Sequence, residues 1–307
     1  MGADAHAEPR AAVLTRRELT AARFHKLALA SAVSLYVIVT SGATVRLTGS
    51  GLGCEGWPGC SPGAVFPEKD YHSFVEFGNR LVSIFPIVLS LATATASVFI
   101  RGLPRWAKVT AWGAALGTLA QAPLGLLTVR LDLDPVAVMA HFLLAIVVLG
   151  AAIVVVLEAR RLGVGASEPL VPLWARRAGI GFAALALALV VSGTVVTAAG
   201  PHAGDPDVVD RLWRLEGAVW LHVRVTAAFG IALLGVLWYL RRTPLIRVGL
   251  ILLGVVLAQM IVGEIQWRSS LPWWLVLVHV ALATGIWAAT VWLVTLLWRP
   301  SAATARA

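Results

Sequence analysis

The sequence predicts an all-α membrane protein with eight transmembrane helices, arranged as two duplicated four-helix bundles. Hydrophobic residues make up 59% of the 307 residues and charged residues only 13%, whereas a soluble domain carries about 25% charged residues. The apolar runs have the length of helices and not that of the roughly 10-residue strands of a membrane barrel. Several residues of the first half also recur, in the same order, in the second half.

Eight runs without charge approach the length of about 20 residues that a bilayer span needs. They cover residues 27–45, 81–100, 109–129, 135–157, 178–201, 225–240 (extended upstream by 217–223), 248–263 and 269–298. The first run does not read as a cleaved signal peptide, because a 26-residue polar arm precedes it and no small-residue cleavage site follows. We therefore expect an arm over 1–26, a first half over 27–158, a linker over 159–177, a second half over 178–298 and a tail over 299–307.

The distribution of Lys and Arg predicts the orientation of the chain. With a cytoplasmic N-terminus, 17 of the 25 basic residues lie in segments on the inside, as the positive-inside rule requires. We therefore expect both termini in the cytoplasm and the protein in the cytoplasmic (inner) membrane. The net charge of +9 comes mostly from the basic residues that determine the topology. The expected partner is therefore the lipid bilayer and not a nucleic acid.

The long outer loop predicted over 47–72 contains both cysteines of the chain, Cys54 and Cys60, in a turn rich in Gly and Pro. Two cysteines outside the cytoplasm indicate a disulfide in an oxidising compartment. Two interpretations stay open, a structural staple and a redox-active pair. The spacing alone does not indicate a metal site.

An internal repeat relates the two halves. Two groups of residues recur, the first at an offset of 151 and the second at 138: Ser41, Gly42, Val45 and Gly49 at Ser192, Gly193, Val196 and Gly200, and Gln121, Gly125, His141, Leu144 and Ala145 at Gln259, Gly263, His279, Leu282 and Ala283. Because four helices precede each restart, the halves are expected to point the same way in the membrane. His222 follows Asn79 by 143 residues, between the two offsets, so we expect it to occupy the place of Asn79 in the second half.

Three of the seven histidines, His141, His222 and His279, fall within predicted spans. At 1.5 Å per residue each lies roughly 10 Å below the outer end of its span, and Asn79 lies at the same depth. A lone membrane histidine is more often a packing residue, but three at one depth favour ligation. Paired imidazoles on helices suit haem, which they bind from opposite faces. Zinc or copper needs further ligands that the second half does not offer at this depth, so we predict no other metal site.

These residues predict two unequal haem sites. His222 and His279 form a bis-histidine site suited to electron transfer. His141 faces Asn79, so that iron is expected to be five-coordinate with an open face. Glu76 lies one turn from Asn79 and has no counterpart in the second half. A charged group at such depth is by default a functional candidate.

Three further residues lie near these sites. Arg80 and Arg224 are expected near the same level, either pairing with haem propionates or snorkelling to the outer interface. His72 lies two turns outward from Asn79 and is expected to be too shallow to reach the iron.

The chain resembles the haem A synthases over essentially all eight predicted spans. The resemblance rests on residues 41–52 (SGATVRLTGSGL) leading into the cysteine loop, 76–80 (EFGNR), 121–128 before His141, 192–200 before His202, and His222 and His279. Many members of that family have His where this chain has Asn79. A bis-histidine substrate site is therefore not expected here.

The resemblance implies a chemistry and assigns roles. It implies oxidation of the C8 methyl group of haem O to the formyl group of haem A, through a hydroxylated intermediate, to supply terminal oxidases. The N-terminal half would take haem O as substrate and the C-terminal half would keep haem b. The acidic catalytic residue of the family maps onto Glu76, and its cysteine pair onto Cys54 and Cys60. A haem O synthase is the implied source of substrate.

Two other functions are compatible with the pattern. A dihaem b-type cytochrome carrying electrons from quinol would contain two b haems and release no haem product. Glu76 and the lost symmetry between the halves speak against it. A haem transporter would need a route across the membrane, whereas the predicted sites all lie near one face.

Overall fold

The structure is a computed structural model that describes residues 20–56, 59–61, 65–67, 70–209 and 211–306. Residues 1–19 of the arm predicted over 1–26 lie outside the described residues, as do parts of the outer loop predicted over 47–72.

The described residues form ten α-helices. They are α1 (Ala21–Leu47), α2 (Tyr71–Val82), α3 (Ile84–Phe99), α4 (Arg105–Arg130), α5 (Pro135–Val164), α6 (Leu173–Ala199), α7 (Leu215–Leu240), α8 (Ile246–Arg268), α9 (Trp273–Trp298) and α10 (Ala302–Arg306).

Eight stretches are long and apolar enough to cross a membrane, with α2 and α3 together forming one of them. Helices suit this environment because a bilayer offers no water, so each segment must satisfy its own backbone hydrogen bonds. For the described part of the chain, the prediction of an all-α protein with eight spans is confirmed. This is the architecture of a multi-pass membrane protein.

The second span begins ten residues before its predicted start at residue 81, because the polar stretch before it is helical. Asp70 caps α2 by accepting hydrogen bonds from the backbone N–H groups of His72 and Ser73. The helix then breaks at Ser83 before α3 begins. Pro86 explains the break, since it has no N–H to donate to the carbonyl four residues earlier.

The helices pack in two groups with the same order of neighbours. In the first group α1 contacts α3, α3 contacts α4, α4 contacts α5, and α5 returns to α1; helices α6 to α9 close in the same way. Buried alanines such as Ala28, Ala94 and Ala107 line the first group. Small side chains let membrane helices approach closely, and close packing drives their association within lipid.

Helix α9 joins the two groups, because it contacts α5 and α1 as well as its own neighbours. The indole N–H of Trp287 donates to the carbonyl of Ile146 at 2.8 Å. The hydroxyl of Tyr36 donates to the carbonyl of Ala281 at 2.7 Å. These bonds fix α1, α5 and α9 relative to one another.

The linker predicted over 159–177 is largely helical, since α5 and α6 leave only residues 165–172 between them. Glu158, buried near the end of α5, accepts hydrogen bonds from Arg161 at 3.4 Å and from Arg299 at 2.6 Å. These ion pairs compensate the buried carboxylate, so α5 continues past the charged positions at which the predicted span ended.

Candidate functional site

His222 on α7 and His279 on α9 lie side by side. Their ring centroids are 6.5 Å apart and the ring planes are inclined at 65°. A metal–imidazole bond is about 2 Å long, so two imidazoles bound to one metal from opposite sides have centroids about 6 Å apart. The spacing of the pair therefore fits one iron between the two rings, as in a bis-histidine haem.

A glycine on the neighbouring helix lies against each of the three membrane histidines. A Cβ atom added at these glycines would lie 3.1–3.4 Å from the ring Cε1 atom of the histidine. The pairs are Gly125 with His141, Gly193 with His222, and Gly263 with His279. Each imidazole thus lies in the space that a side chain would fill if the glycine were a larger residue. The ring is held against the adjacent helix as a result.

The Nδ1 atoms of the three histidines have different surroundings. Nδ1 of His222 lies 2.9 Å from the Ser192 hydroxyl. Nδ1 of His141 and Nδ1 of His279 are buried and have no hydrogen-bond partner among the described residues. The three imidazoles are half-buried, and they suit metal ligation, which requires the unprotonated ring.

Asn79 on α2 occupies a place similar to that of His222. Its side-chain carbonyl accepts a hydrogen bond from the Ser41 hydroxyl at 2.8 Å, as His222 pairs with Ser192. No atom lies within 4 Å of a Cβ added at Gly42, next to Ser41. A cavity of about 540 Å³, lined by Ser41, Asn79 and Tyr36 among others, opens beside this position.

Glu76 is buried, and both of its carboxylate oxygens have partners. One oxygen pairs with the Arg80 guanidinium at 2.5 Å. The other accepts the backbone N–H of Cys54 at 2.9 Å. The carboxylate therefore links helix α2 to the outer loop.

The Cys54–Cys60 disulfide is present, which confirms the pairing predicted for these two cysteines. Both residues are buried against Phe77 of α2, and the two sulfurs lie 3.7 and 3.8 Å from the Ser73 carbonyl oxygen. The outer loop is thus packed on the helix that carries Glu76.

The other predicted site residues also have local partners. Arg80 donates to the carbonyls of Gly56 and Gly59 at 2.7 and 2.6 Å. The Arg224 guanidinium lies over the ring of Trp220 and donates to its carbonyl. The assignment of Arg80 and Arg224 to haem propionates stays a prediction.

His72 lies at the start of α2, where its Nδ1 is 3.0 Å from the Ser50 hydroxyl. This bond joins it to the outer loop.

Several residues that the sequence analysis did not assign contribute to the site. Ser41 hydrogen-bonds to Asn79, and Ser192 to His222. The recurrence of these serines at an offset of 151 residues is the sequence feature that marks both positions. The Gln121 side chain donates to the carbonyl of His141 at 3.3 Å, and Gln121 also belongs to the repeat.

Arg46 is not one of the repeated residues, so the repeat does not mark it as part of the site. It is largely buried and donates to the carbonyls of His202 and Thr197. It therefore joins the outer end of α1 to the loop that follows α6.

Comparison with known proteins identifies the family of the chain. Residues 25–291 match the model of the family described as cytochrome oxidase assembly protein (COX15-CtaA). A protein named heme A synthase from Symbiobacterium thermophilum is 29% identical over 289 residues, 85% of this chain and 91% of the relative. Another of that name from Geobacillus thermodenitrificans is 33% identical over 110 residues, about a third of either chain. A third, from Bacillus licheniformis, is 32% identical over 38% of each chain. Because the family match extends over most of its length, the chain belongs to the COX15-CtaA family of cytochrome oxidase assembly proteins.

Proposed function

We propose that this protein is a haem A synthase, an oxidoreductase that converts the C8 methyl group of haem O into the formyl group of haem A through a hydroxylated intermediate. Family membership and relatives named heme A synthase support the activity. The observation that carries the proposal is the difference between the two sites. The His222–His279 pair has a spacing that suits two ligands of one iron, whereas the first half has Asn79 where the second half has His222.

His222 and His279 are the residues that would hold a resident haem b. Haem b supplies one-electron transfer when bound. The two imidazoles would supply both protein ligands of that iron, and Gly193 and Gly263 give their rings room against the adjacent helices. This site is therefore assigned to electron transfer and not to binding of the substrate iron.

His141 binds the iron of the substrate, haem O, from one side. Asn79 is held by Ser41, has no ring nitrogen to offer that iron, and lines the cavity of about 540 Å³. Arg80 and Arg224 are the candidates for the propionates, because arginine is the side chain best suited to bind carboxylates.

Glu76 is proposed to take up a proton during the oxidation. In the second oxidation the CH2OH group becomes the aldehyde by losing two electrons, which pass to an external two-electron acceptor, and two protons, one of which Glu76 takes up. Arg80 and the N–H of Cys54 hold the carboxylate in place. A positioned general base contributes about 10²–10⁴-fold to such a step.

A Glu76→Gln variant tests this role. Glutamine can still accept the Cys54 N–H bond but cannot take up a proton, so we expect haem A to fall at least about 100-fold. Haem b content should stay unchanged. Glu264→Gln on α8 is the matched control, because that carboxylate is exposed and pairs with Arg268. Normal haem A production by Glu76→Gln would exclude Glu76 as the base.

The Cys54–Cys60 disulfide is proposed to hold the outer loop against Glu76. Its packing on Phe77 and Ser73 supports this positioning role. A redox role is tested separately: a Cys54→Ser, Cys60→Ser double variant with normal haem A production would exclude it.

We further propose that the halves arose by duplication, that both termini are cytoplasmic, and that the sites lie near the outer face of the inner membrane. The repeated order of helix contacts supports the duplication, as do the matching pairs Ser41–Asn79 and Ser192–His222. A haem O synthase in the same membrane is the expected source of substrate.

Extraction and chromatography of haems from membranes that contain haem O, with and without this protein, test the function. Haem A should appear only with the protein, together with some of the alcohol. Two equivalents of haem b without any haem A would instead identify a dihaem cytochrome.

A further inference from the structure

The Ser192 hydroxyl lies between a backbone carbonyl and the His222 ring. It donates to the carbonyl of Leu189 at 2.8 Å and lies 2.9 Å from Nδ1 of His222. A serine hydroxyl has one proton to donate and lone pairs with which to accept. When that proton goes to Leu189, the bond to the ring exists only if Nδ1 carries the hydrogen.

This arrangement determines which ring nitrogen can bind a metal. A neutral imidazole carries its proton on one nitrogen and a lone pair on the other. With the proton on Nδ1, the lone pair is on Nε2. The hydrogen bond to one nitrogen is the usual device that orients a histidine ligand and fixes its tautomer.

The ring is also held in place by its surroundings. A Cβ added at Gly193, the residue after Ser192, would lie 3.3 Å from Cε1 of His222. The ring edge therefore lies against the backbone of α6 while Ser192 binds its Nδ1. Two consecutive residues of one helix thus fix both the tautomer and the orientation.

We propose that Ser192 is a positioning residue that keeps His222 in the Nδ1–H tautomer and presents Nε2 to the iron of the resident haem. The inference rests on the proposed haem site of the second half. It also makes the two axial ligands unequal. His279 has no partner for its Nδ1 among the described residues, so only His222 is supported by a hydrogen-bond acceptor.

The first half has the same serine with a different partner. Ser41 donates to the side-chain carbonyl of Asn79, which has no ring nitrogen to present. The serine position thus orients a ligand in one half and an amide in the other. The difference between the sites lies in the residue on the following span and not in the serine.

A Ser192→Ala variant of the full-length, haem-loaded protein tests the proposal. Loss of a partner behind a metal ligand typically lowers affinity by about 10–100-fold, and we expect a loss of haem b affinity in this range. The imidazole also becomes a weaker donor to ferric iron, so the midpoint potential of haem b should rise. Its low-spin EPR g values should shift, and added imidazole should replace His222 faster.

Thr194→Val is the matched control, because the Thr194 hydroxyl is on the same helix and, among the described residues, donates to the carbonyl of Val191 and makes no other hydrogen bond. It should leave the potential and the g values unchanged. Ser192→Thr retains a hydroxyl and should restore both values, and it carries the test if Ser192→Ala retains too little haem for titration.

Three results would overturn the proposal. One is a Ser192→Ala protein whose remaining haem b has the potential and g values of the original. Another is a threonine variant that behaves like the alanine variant. If instead His222→Ala removes no haem from the protein, the haem site itself is wrong and the proposed function falls with it, which separates the two failures.

Discussion

Asn79 and His222 show how one side chain can change a site while its supports stay the same. Each bonds to a serine on the preceding transmembrane span. His222 fills the space against Gly193, whereas no atom approaches the corresponding position at Gly42. The smaller amide thus leaves room beside the proposed substrate iron.

Replacing Asn79 by histidine should fill that room with a second ligand. The added imidazole has space beside Gly42 and can bond to Ser41 as His222 bonds to Ser192. We expect substrate haem in the Asn79→His variant to become six-coordinate and low-spin, as seen by EPR and optical spectra. Turnover should change as the open face is occupied.

Asn79→Gln is the control for this substitution, since it enlarges the side chain without adding a ring nitrogen. Substrate haem that stays high-spin in Asn79→His would contradict the proposal that Asn79 lies opposite His141.

At the scale of elements, the neighbouring helices approach the histidine rings closely. Gly263 of α8 lies so close to His279 that an added Cβ would be 3.1 Å from the ring Cε1. Forcing a methyl group into a packed site typically costs about 1–3 kcal/mol. Gly254 of the same helix has nothing within 4 Å of its added Cβ.

The Gly263→Ala variant should therefore lose haem b, because the methyl group displaces the His279 ring. Gly254→Ala should retain its full haem content, measured per polypeptide after purification. Equal haem contents in the two variants would mean that the contact between Gly263 and the ring does not support the ligand.

The start of α2 gives a prediction about pH. Hydrogen bonds from the backbone N–H groups of Ser73 and His72 hold the pKa of the Asp70 carboxyl below its ordinary value. A lowered pKa means that the cap stabilises the helix above about pH 4, the ordinary range of Asp, and that this is lost as the pH falls through the lower, folded-state value. Hydrogen-exchange protection of the first turn of α2 should fall in that acidic range.

Asp70→Asn should remove this pH dependence while keeping the cap, because asparagine also accepts the N–H bonds. Asp70→Ala should lose protection at every pH. A pH profile of Asp70→Asn identical to that of the original protein would assign the titration to another group.

At the scale of the whole molecule, buried polar contacts join the two groups of helices. Glu158 of α5 pairs with Arg299 just after α9. Hydrogen bonds to charged groups contribute roughly 1.5–3 kcal/mol, so Glu158→Gln should lower the free energy of unfolding by about 2 kcal/mol. Thermal unfolding in detergent measures this. The exposed pair of Glu264 and Arg268 provides the control, since Glu264→Gln should cost less than about 1 kcal/mol.

Much of this organisation could be predicted from the sequence. Hydropathy alone indicates the eight spans, and two cysteines in an outer loop indicate the Cys54–Cys60 disulfide. The predicted second span began at residue 81 because the charge-free run begins only after Arg80. The true start of α2 follows Asp70, which is a recognisable N-cap.

Contacts that depend on the path of a loop could not be predicted. Glu76 was predicted beside the open face, which stays a prediction, and the structure shows that its carboxylate binds Arg80 and the backbone of Cys54. Nothing in the spacing of these residues specifies that the loop folds back onto α2. The recurrence of Ser41 and Ser192 marked both positions, but only coordinates could show which atoms they bind.

Haem analysis of three purified proteins tests the central claim, that the halves hold different haems. The original protein, His141→Ala and His222→Ala would each be loaded with haem O and their haems identified and counted per chain by chromatography. We predict that His222→Ala loses haem b and still binds haem O, and that His141→Ala keeps haem b and loses haem O. Loss of the same haem from both variants, or full retention of haem b by His222→Ala, would contradict the account.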